Sequence, residues 1–235
     1  MLVTVDVLDR PSWAALTGPH ARFAGIVGRA ARYHPDVAPF FALEDAADPR
    51  CWNDLAVLAG PGTELSITAN PPRDLGWEVR GTSATRQLVD ATVRAVPDPE
   101  AVVLTATDVP EMIDLVRRTG PGPFRPRTIE LGTYLGIRHG GALVAMAGER
   151  IRPPGWSEIS AVCTDPGYRG RGLASRLVLA VAAEIYERGD RPFLHTMAAN
   201  TAANHLFAAI GFVRRKENVN VSLRVPVSPG LSPRP

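Results

Sequence analysis

Ile159-Ser160-Ala161-Val162-Cys163-Thr164-Asp165-Pro166-Gly167-Tyr168-Arg169-Gly170-Arg171-Gly172-Leu173-Ala174 joins an apolar, β-branched run to a Pro/Gly turn, a glycine-rich arginine loop and the start of an amphipathic helix. A strand feeding such a loop leaves several backbone N–H groups unpaired at the positive end of a helix, the arrangement an anionic pyrophosphate needs. A P-loop would follow its glycines with lysine and Ser or Thr. Here Gly172 is followed by Leu173 and Ala174, and Lys216 is the only lysine in the chain. A dinucleotide fold would place an acid at the end of the next strand for the ribose. Pro192-Phe193-Leu194-His195-Thr196-Met197 carries none.

What remains is Arg-x-x-Gly-x-Ala, spelled by Arg169, Gly172 and Ala174. Downstream, Asn200-Thr201-Ala202-Ala203-Asn204-His205-Leu206-Phe207-Ala208-Ala209-Ile210-Gly211-Phe212 carries an Asn, an Ala three positions later, a Leu-aromatic pair and a closing Gly-Phe. With these two signatures in this order, separated by one helix and one strand, the chain resembles the GNAT superfamily of acyl-CoA-dependent N-acyltransferases. Its C-terminal half looks most like the branch that includes the glycine N-acyltransferase C-terminal domain. The resemblance covers about residues 101–225.

Composition sets wide bounds. At 235 residues the chain suits one large or two small domains. Its hydrophobic and charged fractions, 45% and 21%, are ordinary globular values, and the net charge of +2 gives no reason to expect a nucleic-acid partner. Cys51 and Cys163 are too few and too far apart for a disulfide framework or a metal site. No signal peptide and no apolar run of membrane-spanning length is apparent, so a soluble, cytoplasmic protein is expected, with no membrane or metal partner.

The pattern of elements predicts a mixed α/β (α+β) fold. Residues 101–106 read as a strand. Asp108 with Glu111 forms a capping box that opens a helix to about Thr119. Two strands follow across His139-Gly140-Gly141, then a strand from Ser157 to Thr164. Leu173, Leu177, Val181 and Ile185 mark a helix stopped by Gly189. A strand at 192–196, a helix capped by Asn200 and a long strand from Phe212 to Val225 complete the set. In the first hundred residues, short helices at 11–17 and 48–59, a strand region at 22–33 and strands at 64–69 and 77–91 look like a degenerate second GNAT-like unit. The expected division is residues 1–97, 98–225 and a disordered Pro/Ser tail at 226–235.

The resemblance implies a central mixed sheet with flanking helices, in which the strand before the loop splays from its neighbour and pantetheine lies in the gap. Val162, Cys163 and Thr164 would then offer backbone groups to pantetheine, and Arg169, Gly170, Arg171, Gly172, Leu173 and Ala174 would bind the pyrophosphate of acetyl-CoA. Asn200 would contact the cofactor, and Phe207 would line its site. Many family members carry tyrosine where Phe207 stands, to protonate the departing thiolate; phenylalanine cannot.

Acyl transfer needs a neutral amine, hence a base. Similar family members place a carboxylate where Glu158 stands, which makes it the catalytic candidate beside its reading as a plain strand-end residue. Alternation puts Glu158, Ser160 and Val162 on one face and Ile159, Ala161 and Cys163 on the other. Glu149 is the reserve base, and Glu130 and Tyr134 are candidate pocket residues. His195, within an apolar strand, reads as a hydrogen-bonded core histidine. The expected activity is direct N-acetyl transfer to a primary amine of a small molecule or protein, by a monomer or homodimer. The alternative is a non-catalytic acyl-CoA-binding sensor or partner protein.

Overall fold

The computed structural model describes residues 6–227, so the predicted tail lies largely outside the described residues. After a single helical turn at Val7–Asp9, Pro11 opens α1 (Pro11–Leu16). A small antiparallel sheet follows: β1 (Ala24–Val27), β2 (Ala30–Tyr33) and β3 (Phe41–Leu43). Asp48 caps α2 (Pro49–Ala59), its carboxylate accepting from the Arg50 amide. Then come β4 (Glu64–Ile67), the 13-residue β5 (Glu78–Asp90) and the two-residue β6 (Val102–Val103). The second half supplies α3 (Val109–Thr119), β7 (Tyr134–His139), β8 (Ala142–Glu149), β9 (Trp156–Thr164), α4 (Leu173–Glu187), β10 (Arg191–Met197), α5 (Thr201–Ala209) and β11 (Phe212–Arg224).

Eight of these strands form one sheet in the order β4-β11-β5-β10-β9-β8-β7-β6. Every neighbouring pair is antiparallel except β9 with β10. The mixed α/β class expected from sequence is therefore observed. β5 lies between β10 and β11, so the division expected near residue 97 does not separate two sheets. The first half contributes a three-stranded cover and two strands threaded into the sheet of the second.

The helices pack as their sequences dictate. Leu173, Leu177, Val178, Val181 and Ile185 of α4 are buried against Leu88, Ile159 and Leu194, and Phe207 of α5 joins the same core. Met112 and Leu115 of α3 pack with Tyr134, Leu143 and Met146. Trp52 and Leu55 of α2 meet Leu65, Ile67, Val221 and Leu223 at the β4–β11 end.

Two local expectations change. The strand read over residues 101–106 shrinks to Val102–Val103, because Thr105 and Asp108 form the capping box themselves. Glu111 instead accepts from the Leu143 amide at 2.6 Å and pairs with Arg138 at 2.7 Å, tying α3 to the β7–β8 hairpin. No helix among the described residues is long and apolar enough to cross a membrane. No cluster of three or more His, Cys, Asp or Glu among them could hold a metal ion.

Candidate active site

β9 and β10 pair only from Trp156 with Arg191 to Ile159 with Leu194. Beyond that point β9 stays bound to β8 as far as Thr164, and β10 stays bound to β5 as far as Met197. The two parallel strands therefore separate into a fork whose arms are held by their outer neighbours. At Ala161 the backbone has φ 52°, and Ala161 and Val162 together face Ala147, because Ser160 pairs with Gly148 and Cys163 with Met146. This β-bulge bends β9 away from β10.

The bulge also breaks simple alternation. Ile159 and Val162 turn toward α4, while Ala161 and Cys163 turn toward α3. The expected grouping of Val162 with Glu158, and of Ile159 with Ala161, is thereby corrected. Cys163 is buried, and burial pushes its thiol up to about 11, so it is an apolar packing residue that offers only its backbone.

At the mouth of the fork, Asp165 caps a single turn through the Gly167 amide, and Gly170 and Gly172 both adopt φ 75°. Positive φ there favours glycine, and a Cβ on either would meet nothing within 4 Å, so the loop surface is open. Among the described residues, no acceptor engages the amide N–H groups of Arg169, Gly170, Arg171, Gly172, Leu173 and Ala174. Arg169 is held back on the Thr164 carbonyl (3.3 Å), and Arg171 lies over the Tyr168 ring. Six free amides over two open glycines at the start of α4 suit a diphosphate.

Asn200 caps α5, accepting from the Ala203 amide at 3.1 Å. Sequence reasoning passed over Asn204, whose amide donates to the carbonyls of Met197, Ala198 and Asn200 and so fixes the turn that closes the other arm of the fork. Phe207 is buried with Phe212, ring centroids 6.3 Å apart, and acts in the core beneath the fork.

Glu158 lies at the fork's base. It is fully buried, and its carboxylate forms a two-pronged pair with Arg150 at 2.9 and 2.8 Å and receives His195 Nδ1 at 2.8 Å. Burial would raise its pKa, but the Arg150 charge and the hydrogen bonds from His195 and Arg150 outweigh it and bring the group down to about 2. Enclosed by Arg150 and His195, the Glu158 carboxylate has no exposed surface of its own, whereas the His195 side chain does.

His195 is the first residue of β10 past the last β9 pair, and its side chain is 21% exposed. Phe193 pairs with Glu158, so His195, two residues on, presents its ring on the same face. Its Nε2 lies 3.2 Å from Gln87 Nε2. The Gln87 oxygen accepts from Arg215 (2.9 Å) and its nitrogen donates to the Leu8 carbonyl (2.8 Å), which orients the amide. Gln87 therefore donates to His195, whose Nε2 keeps a lone pair while Nδ1–H donates to Glu158. Arg215 reaches Gln87 because it is the extra residue of a bulge between Arg214 and Lys216.

The other candidates fall elsewhere. Glu149 is buried on the opposite face, engaged by the Thr133 amide, Ser157 and Arg188. Glu130 pairs with Arg127 in an exposed turn. Tyr134 is buried beside α3, its hydroxyl without a hydrogen bond among the described residues, and burial raises its pKa. A cavity of about 580 Å³ opens beside His195, Arg150 and Gln87, walled by β4, β5 and β11 and by the N-terminal segment.

A forked parallel strand pair with an amide-lined loop at its mouth defines the acyl-CoA-dependent acyltransferase class. The family model for FR47-like protein matches residues 134–221. The N-alpha-acetyltransferase RimI of Mycobacterium tuberculosis is 37% identical over 84 residues, 34% of this chain and 52% of that protein. The mycothiol acetyltransferase of Thermobispora bispora is 38% identical over 106 residues, 43% of this chain and 35% of that one. The chain thus spans about half or less of the length of these relatives. The crystal structure of a GNAT-family acetyltransferase from Novosphingobium aromaticivorans superposes with a TM-score of 0.83 at 38% identity, covering 93% of this chain and 98% of that one. The chain belongs to the GNAT family of acetyltransferases.

Proposed function

We propose that the protein transfers an acetyl group, or another acyl group, from acyl-CoA directly to a primary amine. The observation that carries this reading is the place of His195, at the base of the fork where a thioester entering from the Arg169–Ala174 loop would end, with its Nε2 beside the cavity. The loop amides hold the diphosphate, and the arms of the fork offer backbone groups of Val162, Cys163 and Thr164 to the pantetheine. Relatives named N-alpha-acetyltransferase and mycothiol acetyltransferase support the reaction class.

The neutral amine's lone pair attacks the thioester carbonyl carbon, forming the C–N bond and moving the π electrons to oxygen. Collapse restores the carbonyl, breaks the C–S bond and expels the CoA thiolate. His195 Nε2 takes the proton lost by the nitrogen, the thiolate takes one from water, and the imidazolium returns its proton to the hydroxide so formed. Glu158 is a positioning residue: it fixes the Nδ1–H tautomer and steadies the imidazolium that forms. Arg150 in turn keeps Glu158 ionised. The arriving amine displaces the Gln87 N–H from Nε2, and Gln87 retains its bond to the Leu8 carbonyl.

The test is thiol release from acetyl-CoA with a panel of primary amines. Replacing the base, His195→Asn, is expected to lower kcat by about 10²–10⁴ with CoA affinity unchanged; full activity in that variant would remove His195 from the mechanism. Phe207, a buried ring that cannot donate a proton, favours the second reading, a non-catalytic acyl-CoA-binding sensor or partner protein. Tight binding of acetyl-CoA without thiol release for any amine would select it.

A further inference from the structure

The wall of the cavity beside His195 has a chemistry of its own. Register places a row of uncharged polar side chains on one face of the sheet. His195 pairs with Gln87 and Met197 with Thr85 across β10–β5; Thr85 pairs with Asn218 across β5–β11; Ser222 pairs with Ser66 across β11–β4. Asn220 stands between Asn218 and Ser222 on the same face, accepting from Thr68 at 2.8 Å. All of these except Met197 line the cavity. From His195 to Ser66 the row crosses three strand spacings, about 14 Å.

These groups are largely uncommitted. The amide of Asn218, the Asn220 nitrogen and the hydroxyls of Thr85, Ser222 and Ser66 have no side-chain hydrogen bond among the described residues. The N-terminal segment brings Trp13, Phe40 and Phe41 to the same cavity. The charged groups are mostly spoken for: Asp9 by Arg215 and Lys216, Arg150 by Glu158, Arg80 by Glu78. Among the described lining residues Glu64 is the one carboxylate without an ion pair, too little negative charge to hold a polycation.

We infer that the acceptor is a small monoamine with a polyhydroxylated body, of amino-sugar chemistry and one or two rings in size. This inference rests on the acyltransferase reading, whose acceptor it specifies. Hydroxyl groups satisfy the Asn, Ser and Thr row, while the C–H faces of the rings lie against Trp13, Phe40 and Phe41. An apolar amine would take water from the half-buried Asn218 and Asn220 and the buried Thr85 without replacing its hydrogen bonds, whereas the exposed Ser66 and Ser222 stay solvated. The volume of about 580 Å³ falls in the range of small-molecule pockets.

The test is calorimetric titration of the full chain, saturated with CoA, with four probes: methyl 2-amino-2-deoxyglucopyranoside, phenethylamine, spermidine and an alanyl-alanine amide. The glycoside is expected to bind at least tenfold tighter than each of the others. Asn218→Leu and Asn220→Leu are each expected to weaken it at least tenfold while CoA affinity stays unchanged, which also reports that the variants fold. Tighter binding of any other probe, no binding of the glycoside, or unaltered affinity in both variants overturns the inference. Failure of CoA itself to bind sinks the acyltransferase reading instead, and glycoside titration of the CoA-free protein then still reads the pocket.

Discussion

Burial makes a charged Glu158 costly, yet Arg150 and His195 together hold it down to about 2, against 4.5 for an ordinary glutamate. A carboxylate lowered in this way favours the folded state above pH 4.5, and that contribution drains away as pH falls toward 2. His20 acts in the window above. It is buried against Tyr33, Nδ1 to the tyrosine oxygen at 3.0 Å; burial, with the charges of Arg152 and Arg22, lowers it from 6.5 to about 4. Below pH 6.5 the unfolded chain binds a proton that folded His20 refuses until about pH 4, so stability again falls on acidification. Urea midpoints measured from pH 7 to pH 3 are therefore expected to decline throughout, with His20→Gln flattening the 6.5–4 limb. At neutral pH, Glu158→Gln leaves Arg150 buried opposite a neutral amide. Removing one partner of such a pair costs about 3–5 kcal/mol, and turnover falls as His195 loses its anchor. A Glu158→Gln protein with wild-type stability and kcat would mean that the buried triad of Arg150, Glu158 and His195 does not exist in solution.

The elements that local chemistry dictates could be read in advance. The loop from Arg169 to Gly172, the helix begun by Leu173 and the Asn200 cap all depend on residues within a few positions of one another. The bulge at Ala161 does not: nothing in Ser160-Ala161-Val162 announces a positive φ, which the packing of β9 between β8 and the fork imposes. His195 was hidden for a related reason. Phe193 and Leu194 make its strand look like plain core, and its partner Glu158 is 37 positions away, brought near only by the parallel register. The loop itself supports a two-part prediction. Gly172→Ala forces a side chain into φ 75° with open space around it, so it is expected to cost roughly 1–2 kcal/mol of stability. Calorimetric titration should show its CoA affinity reduced only modestly. Gly172→Glu carries the same backbone cost and also sets bulk and negative charge over the amides; CoA affinity should fall at least a hundredfold. Equal CoA affinity in the two variants would place the diphosphate elsewhere.

At the scale of the whole molecule, the two sequence halves are bound into one sheet by β5. A strand can be recognised from Glu78–Asp90 alone, but its neighbours cannot, because pairing is chosen by the completed sheet. β5 bonds on one side to β10 from Phe193 to Met197 and on the other to β11 from Phe212 to Arg224. Without it, both strands expose backbone groups along edges that face the core, where an unpaired amide or carbonyl is expensive. The same strand carries Gln87, which orients His195, and Thr85, which lines the cavity, so the first half completes the site as well as the fold. A fragment comprising residues 98–235 is therefore expected not to fold, although it contains both signature motifs. Circular dichroism should show no cooperative thermal transition for it, and CoA should produce no stabilisation. The full chain should unfold in a single transition, because the eight-stranded sheet draws strands from both halves and neither half holds it alone. Adding residues 6–97 as a separate chain should restore structure if β5 can insert between β10 and β11 from outside. A cooperative transition with CoA binding by the 98–235 fragment alone would show that β10 and β11 close on each other directly, and that β5 is dispensable to the fold.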